Sequence, residues 1–260
     1  MSSSIVDVDR LPAPAVALAD EHGPIAAAPH AHEKHQLLFA ARGTMQLVAC
    51  GRRWLLPPRR AAFVDAGVVH EVASVTGISL RTVYFAREFV ERAGPPTCAV
   101  FEVPPLGQEM LTHAARWDPR RAPAASDRVR EPFLRALVEL SLEWMATPAR
   151  CHLPEPSSAG LARAAAFVRD NLATATPEAA AKAGGMSART LTRRFEAELG
   201  QSFRDYRAAA RTLRAMEILA SRDGSVTRAA LEVGFAGLPA FSTAFKELTG
   251  ETPSDYRARA

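Results

Sequence analysis

The last hundred residues of this 260-residue chain repeat themselves at an offset of 50. Phe195 corresponds to Phe245, Gly200 to Gly250, Ser202 to Thr252, Tyr206 to Tyr256 and Arg207 to Arg257; upstream, Gly184 corresponds to Gly234 and Leu191 to Phe241. Two copies of one supersecondary unit must share one local fold, so any reading has to satisfy both. Each copy reads as a short helix, a glycine-containing turn and a second helix that ends at glycine. In the first, Thr176 is an N-cap with Pro177 behind it, Gly184-Gly185 closes the helix, and Ser187 caps a helix that Gly200 ends. In the second, Val226 to Val233 is followed by Gly234, and Leu238 to Thr249 by Gly250. Helix, tight turn, helix is a helix-turn-helix, and the two units span 177–199 and 226–249.

The formal charge of +4 is informative only once it is located. Residues 1–159 hold 17 basic and 17 acidic side chains, whereas 160–260 hold 15 and 11. Within 186–214, Arg189, Arg193, Arg194, Arg204, Arg207, Arg211 and Arg214 stand against Glu196, Glu198 and Asp205. That local excess is the footprint expected of a surface that follows a phosphate backbone.

On the helix from Ser187 to Leu199, Leu191, Phe195 and Leu199 recur at i, i+4 and i+8 and predict a buried stripe. Arg189 and Arg193 fall opposite that stripe, with Thr192 beside them. Such a face can enter a major groove and fork to guanine O6 and N7. It could equally be a solvated face, but duplication favours the first reading. Two such helices joined by a rigid one (Phe203 to Ala220) fit successive grooves roughly 34 Å apart. The second copy offers Leu238, Pro239, Ser242 and Thr243 where the first offers Ala188, Arg189, Thr192 and Arg193, and residues 222–260 are neutral. Base readout is therefore expected from the first copy, and backbone positioning by Lys246, hydroxyls and helix N-termini from the second.

Ahead of these units the pattern is different. From Gln36 to Ala86, short apolar runs separated by turn residues (QLLFAA, TMQLVAC, RRWLL, AAFVD, HEVAS, ISLRTVYFA) read as strands of a small barrel or sandwich. Leu106 to Arg116 and Asp127 to Met145 read as helices, and the Pro- and Ser-bearing stretch from Thr147 to Gly160 as a linker. The expected fold is α+β in two domains: a sensor domain over 1–125, a helix over 126–147, a linker over 148–159 and an all-helical domain over 160–260. No apolar run approaches the roughly 18–20 residues of a membrane span, MSSSIVDVDR does not resemble a signal peptide, and Cys50, Cys98 and Cys151 form no CxxC pair. A cytoplasmic protein with no membrane partner is expected.

The stretch MSARTLTRRFEAELGQSFRDYR (186–207), then Arg211 with Ala215, Ile218 and Leu219, then VTRAALEVGFAGLPAFSTAFKELTGETPSDYR (226–257), resembles the C-terminal signature of the AraC/XylS family of transcription regulators. One departure is Ala236-Gly237-Leu238-Pro239-Ala240, where the family usually has polar residues before the phenylalanine. HAHEKHQLLFAARGTMQLV and WLLPPRRAAFVDAGVVHEV resemble the cupin-type sensor domain of a subgroup that includes regulators of nitroimidazole resistance and of iron proteins. The resemblance implies a cytoplasmic, dimeric, effector-responsive regulator of a nearby gene, which binds double-stranded DNA and contacts RNA polymerase if it is an activator.

His30, His32 and His35 are three of seven histidines, packed into six residues, and His70 follows on another predicted strand. The set resembles a cupin metal site with Gln36 in the carboxylate position. Neutral imidazoles here are candidate ligands for Zn, Ni, Fe or Co, or a polar lining for a small-molecule effector. A cupin metalloenzyme with a helical tail is the alternative function; the missing carboxylate and the duplicated helical unit favour a non-enzymatic regulator. On the helix from Asp127, Phe133, Leu137, Leu140 and Trp144 share one stripe and are candidates either for pairing with a second copy or for docking on their own domain.

Overall fold

The computed structural model describes residues 7–75, 77–90, 94–121, 127–149, 152–221 and 223–259. The chain forms two compact units, one of residues 1–50 with 56–149, the other of residues 51–55 with 150–260. The strands are β1 (Ala15–His22), β2 (Ile25–Ala26), β3 (His35–Arg42), β4 (Met45–Ala49), β5 (Arg52–Leu56), β6 (Arg60–Val64), β7 (His70–Ser74), β8 (Ile78–Phe85), β9 (Cys98–Glu102) and β10 (His152–Pro154). The helices are α1 (Pro105–Ala114), α2 (Asp127–Trp144), α3 (Ala159–Asp170), α4 (Pro177–Gly184), α5 (Ala188–Leu199), α6 (Phe203–Ala220), α7 (Val226–Glu232), α8 (Leu238–Thr249) and α9 (Pro253–Arg259).

In the first unit an antiparallel sheet runs β1-β8-β3-β6-β9, and β4, β7 and β2 are neighbours in a second sheet. β3 lies at the centre of the larger sheet, paired with β8 and β6. Its run His35 to Ala40 is buried throughout, as expected of a strand covered on both faces. Alternation sends Leu37 and Phe39 to one face. There they join Phe63, Val83, Phe85 and Phe101 in a core closed by Leu111 of α1 and Leu134, Leu137 and Val138 of α2. Gln36 and its register partner Tyr84 fall on the other face. A fully buried carboxylate, Asp118, accepts from the Ala19 and Arg120 amides and the Arg120 guanidinium, tying the segment after α1 to β1.

This arrangement differs from the expectation in three places. The residues expected to form a separate helical element after 126 supply core to the first unit. The expected linker contains β10, which pairs antiparallel with β5. β1, β2 and β9, whose short or alanine-rich sequences carry little strand pattern, lie outside the expected strands. Cys151 and the 125/126 boundary lie outside the described residues.

The second unit reproduces the repeat in detail. The Thr176, Ser187, Ser202, Ser225 and Thr252 hydroxyls each accept the amide three residues on. Ser202 and Thr252, at matching positions, also donate to Asp205 and Asp255 at 2.7 and 2.6 Å. Gly200 and Gly250 end α5 and α8 at φ +65° and +85°, a left-handed conformation that only glycine adopts without strain. Leu191, Phe195, Tyr206, Phe241 and Phe245 fill one core, to which β5 and β10 add Leu55 and Leu153.

Candidate nucleic-acid interface and effector pocket

The residues of α5 divide as the periodicity predicts. Leu191, Phe195 and Leu199 are buried, and Ser187, Arg189, Thr192 and Arg193 are exposed. Ser187 caps the helix through the Thr190 amide at 3.2 Å, and the Thr192 hydroxyl donates to the Ala188 carbonyl. On α8, Leu238, Thr243 and Lys246 are exposed and Ser242 is half-buried. No side chain caps α8, because its N-cap is Gly237.

The arginine excess of 186–214 turns out to be only partly a surface feature. Arg207 donates to the Leu172, Ala173 and Ala175 carbonyls at 3.2, 3.3 and 2.8 Å, and Arg211 to those of Leu172 and Ala173. These carbonyls lie just beyond the C-terminus of α3, outside its ladder of helical bonds, and the guanidiniums supply donors to them. Arg257, the repeat partner of Arg207, does the same for Leu219 and Ser221 at the end of α6. Arg214 pairs with Glu217 and Glu232, and Arg194 donates to the Ser158 hydroxyl. That leaves Arg189, Arg193 and Arg204, which are exposed and carry no hydrogen bond or ion pair among the described residues. Treating every arginine of 186–214 as a phosphate footprint therefore overcounted. Arg204, in the first turn of α6, stands apart from the other arginines of that helix only through their partners, because sequence alone does not separate a surface arginine from one bonded into the fold.

In the first unit the structure gathers His30, His32 and His70, with one ligand atom from each within 4.8 Å of the others. An isolated antiparallel bridge between His30 and His70, with amide-to-carbonyl bonds of 3.0 and 2.8 Å, brings the sequence-distant pair together. The His32 carbonyl accepts the Gly67 amide, and its ring lies 5.1 Å from those of both His30 and Tyr84. His30 Nδ1 lies 2.8 Å from the Ala28 carbonyl and His70 Nδ1 3.0 Å from that of Val68. A carbonyl only accepts, so each Nδ1 carries the proton and each Nε2 presents its lone pair. His70 Nε2 is buried with no partner. Burial first, opposed by the Val68 bond and aided by His30 and His32, pushes the His70 pKa down to about 4; burial and His30 lower that of His32. The His70 ring is therefore neutral at neutral pH.

The two other candidates face different partners. His35 Nδ1 is 3.1 Å from Asp65 Oδ1 and 3.2 Å from the Ala66 amide, outside the cluster. Gln36 donates to the Tyr84 hydroxyl at 2.8 Å, and its own buried Oε1 has no partner. Burial raises the Tyr84 pKa, keeping the phenol neutral. The role of Tyr84 beside His32 follows from strand register, which a single sequence does not display. On α2, Leu137 is fully buried and Phe133 and Trp144 pack on the same core, so three of the four stripe residues dock on their own unit; Leu140 is half-buried.

Comparison with known proteins bears on both domains. The family described as AraC-like ligand binding domain matches residues 13–138, and a helix-turn-helix domain family matches 180–259. The HTH-type transcriptional regulator NimR of Escherichia coli K12 is 29% identical over 238 residues, 88% of this chain and 82% of its own. The chain pairs an AraC-like ligand-binding domain with a helix-turn-helix domain of the AraC type. With these two domains it is a DNA-binding transcription regulator with a ligand-binding domain. The HTH-type transcriptional regulator RipA of Corynebacterium glutamicum is 44% identical over 72 residues, 28% of this chain and 22% of its own. The crystal structure of unsaturated fatty acid bound ToxT from Vibrio cholerae covers 94% of each chain at 13% identity and a TM-score of 0.39. The histidine cluster lies within the AraC-like ligand-binding match, and α5 and α8 within the helix-turn-helix match. Among the described residues, no helix is long and apolar enough to cross a membrane.

Proposed function

We propose that the chain reads a specific double-stranded DNA sequence through α5, is positioned by α8, and regulates a gene near its own in response to a small effector or metal ion taken up at the histidine cluster. Arg189 and Arg193 supply the forks to guanine, with Ser187 and Thr192 beside them. Leu238, Ser242, Thr243 and Lys246 hold the second helix against the backbone and a thymine methyl or hydroxyl-accepting edge. The observation that carries this reading is that Arg189 and Arg193 are exposed and unpaired on the face opposite the buried stripe, whereas most arginines around them are tied into the fold.

The chain acts as a homodimer through α2. Because Phe133, Leu137 and Trp144 serve their own core, the pairing face is the other side of that helix, which includes exposed Val129 and half-buried Leu140. Footprinting on the upstream region of its own gene defines the operator. On that site Arg193→Ala relaxes base preference more than Thr243→Ala does, and equal losses in a binding titration would sink the assignment of readout to α5. Sedimentation of the full chain reports the dimer.

A further inference from the structure

The reading of the first unit as the sensor leaves its ligand open, and the inference here rests on that reading. Three features of the pocket restrict the ligand. His30 and His70 have their Nδ1 atoms anchored on the Ala28 and Val68 carbonyls, the outer-partner arrangement that fixes tautomer and aim in metal-ligating histidines. His70 Nε2 is buried and has no partner, a state that costs stability in an empty site and is relieved by an electron-pair acceptor. His30 and His32 are half-exposed, so the third side of the cluster is open to solvent. A proton donor could relieve only the His70 lone pair, whereas three converging imidazole nitrogens suit a single cation.

We propose that His30, His32 and His70 form a three-imidazole site for one borderline divalent transition ion of the Zn, Co or Ni class, with the remaining coordination position left to water or an exogenous ligand. Ligand atoms within 4.8 Å of each other have to close to about 3.4 Å to share an ion at Zn–N distances of about 2.1 Å, a contraction that half-exposed His30 and His32 rings can make. The donor set selects within the metals. Gln36 is engaged with Tyr84, and among His, Cys, Asp and Glu side chains of the described residues only these three histidines cluster, so no carboxylate joins them. Neutral nitrogen donors suit Zn, Ni, Co and Cu and are poor hosts for Mg, Ca and Mn. With no anionic protein ligand the bound ion keeps its full charge, so the open position favours an anion or hydroxide over a neutral ligand.

The test uses the full chain purified without a histidine tag and stripped with chelator. Co2+ titration should give one equivalent with the visible bands of low-coordinate Co–nitrogen sites, displaced by Zn2+ and not by Mg2+ or Mn2+. His70→Ala and His32→Ala should each lose more than the roughly 10–100-fold in affinity that removing an outer partner costs. His22→Ala, away from the cluster, should bind as wild type. Because burial of His70 makes a misfolded variant conceivable, each variant is checked by circular dichroism, and half-exposed His32 carries the result if His70→Ala does not fold. Absence of a stoichiometric ion, or unchanged affinity in a folded His32→Ala, overturns the proposal. Operator binding is followed in parallel by anisotropy. Binding of one ion with no change in operator affinity upholds the site and overturns only the sensor reading. An operator affinity that responds to a small molecule in a chain that takes no ion overturns the site and leaves the sensor reading standing.

Discussion

Three arginines that look alike in sequence should behave in three different ways. Arg193→Ala removes a fork donor from the exposed face of α5. A bidentate pair to guanine is worth about 1–3 kcal/mol, so operator affinity should fall roughly 5- to 150-fold, and discrimination at one base position should collapse. Arg204→Ala removes a free cation from the first turn of α6, where a phosphate contact would be sequence-blind. Affinity should fall on operator and random DNA alike, and the slope of log K against log salt should become shallower by about 1. Arg207→Ala removes donors from three carbonyls beyond α3. Hydrogen bonds to a charged group contribute about 1.5–3 kcal/mol each, but these carbonyls are partly reachable by water. A total stability loss of about 2–3 kcal/mol is expected, with no change of salt slope in the protein that remains folded. Urea denaturation of the full chain combined with anisotropy titrations at several salt concentrations separates the three outcomes. If Arg207→Ala flattens the salt slope as Arg204→Ala does while leaving the urea midpoint in place, the division into structural and DNA-facing arginines is wrong.

Glycine positions give a second contrast. Gly200→Ala meets open space and should cost only the left-handed conformation, about 1 kcal/mol, whereas Gly234→Ala, at φ +84°, would set its Cβ 2.5 Å from the Ala173 Cα and should cost about 3 kcal/mol or more; equal urea midpoints would contradict this. Glu155 lies 2.7 Å from Arg53 and 3.7 Å from Arg169, which in turn donates to the buried Tyr206 hydroxyl. Glu155→Ala removes the carboxylate shared by two partly buried guanidiniums and should cost about 1 kcal/mol, much of it restored by Glu155→Asp, as chemical denaturation would show. Burial alone would raise the Asp118 pKa, but hydrogen bonds from the Arg120 guanidinium and from the Arg120 and Ala19 amides hold it below the ordinary value. Its stabilising contribution is therefore complete above about pH 4 and is lost as pH falls through the depressed folded value. Asp118→Asn should flatten that acid limb of the stability curve, and an unchanged limb would show that other carboxylates set it.

What could be read from sequence depended on whether the information was local. Caps, glycine stops and the 3.6-residue stripe are written within a few positions of the elements they define, so α4 to α8 fall within a residue or two of their expected bounds. The strands of the first unit were legible where apolar runs sit between turn residues, as at Gln36 and Arg60, and illegible at β1, whose Ala-Val-Ala-Leu-Ala run has no contrast between faces. Sites built across strands were legible only in part. His30 and His32 declare themselves by proximity, but only the His30–His70 bridge shows that His70 completes the set and that His35, three residues beyond His32, turns to Asp65 instead.

The arginines mark the same limit more sharply, because the repeat itself was misleading about charge. Arg207 and Arg257 match across the 50-residue offset, and that correspondence reflects a shared task of satisfying carbonyls at or just beyond the end of the helix that leads into each unit, α3 for the first and α6 for the second, a need that both copies inherit from their common fold. Arg189 and Arg193 have no counterpart in the second copy, where Pro239 and Thr243 stand. In a duplicated unit, a charged residue retained in both copies is therefore first to be sought in the fold, and one present in a single copy on the surface that tells the two copies apart. By that criterion the proposed DNA sequence preference is to be sought in α5, and placing arginines at Pro239 and Thr243 should extend the footprint's base-specific contacts into the second half-site without altering stability by more than the roughly 0.5 kcal/mol typical of exposed positions.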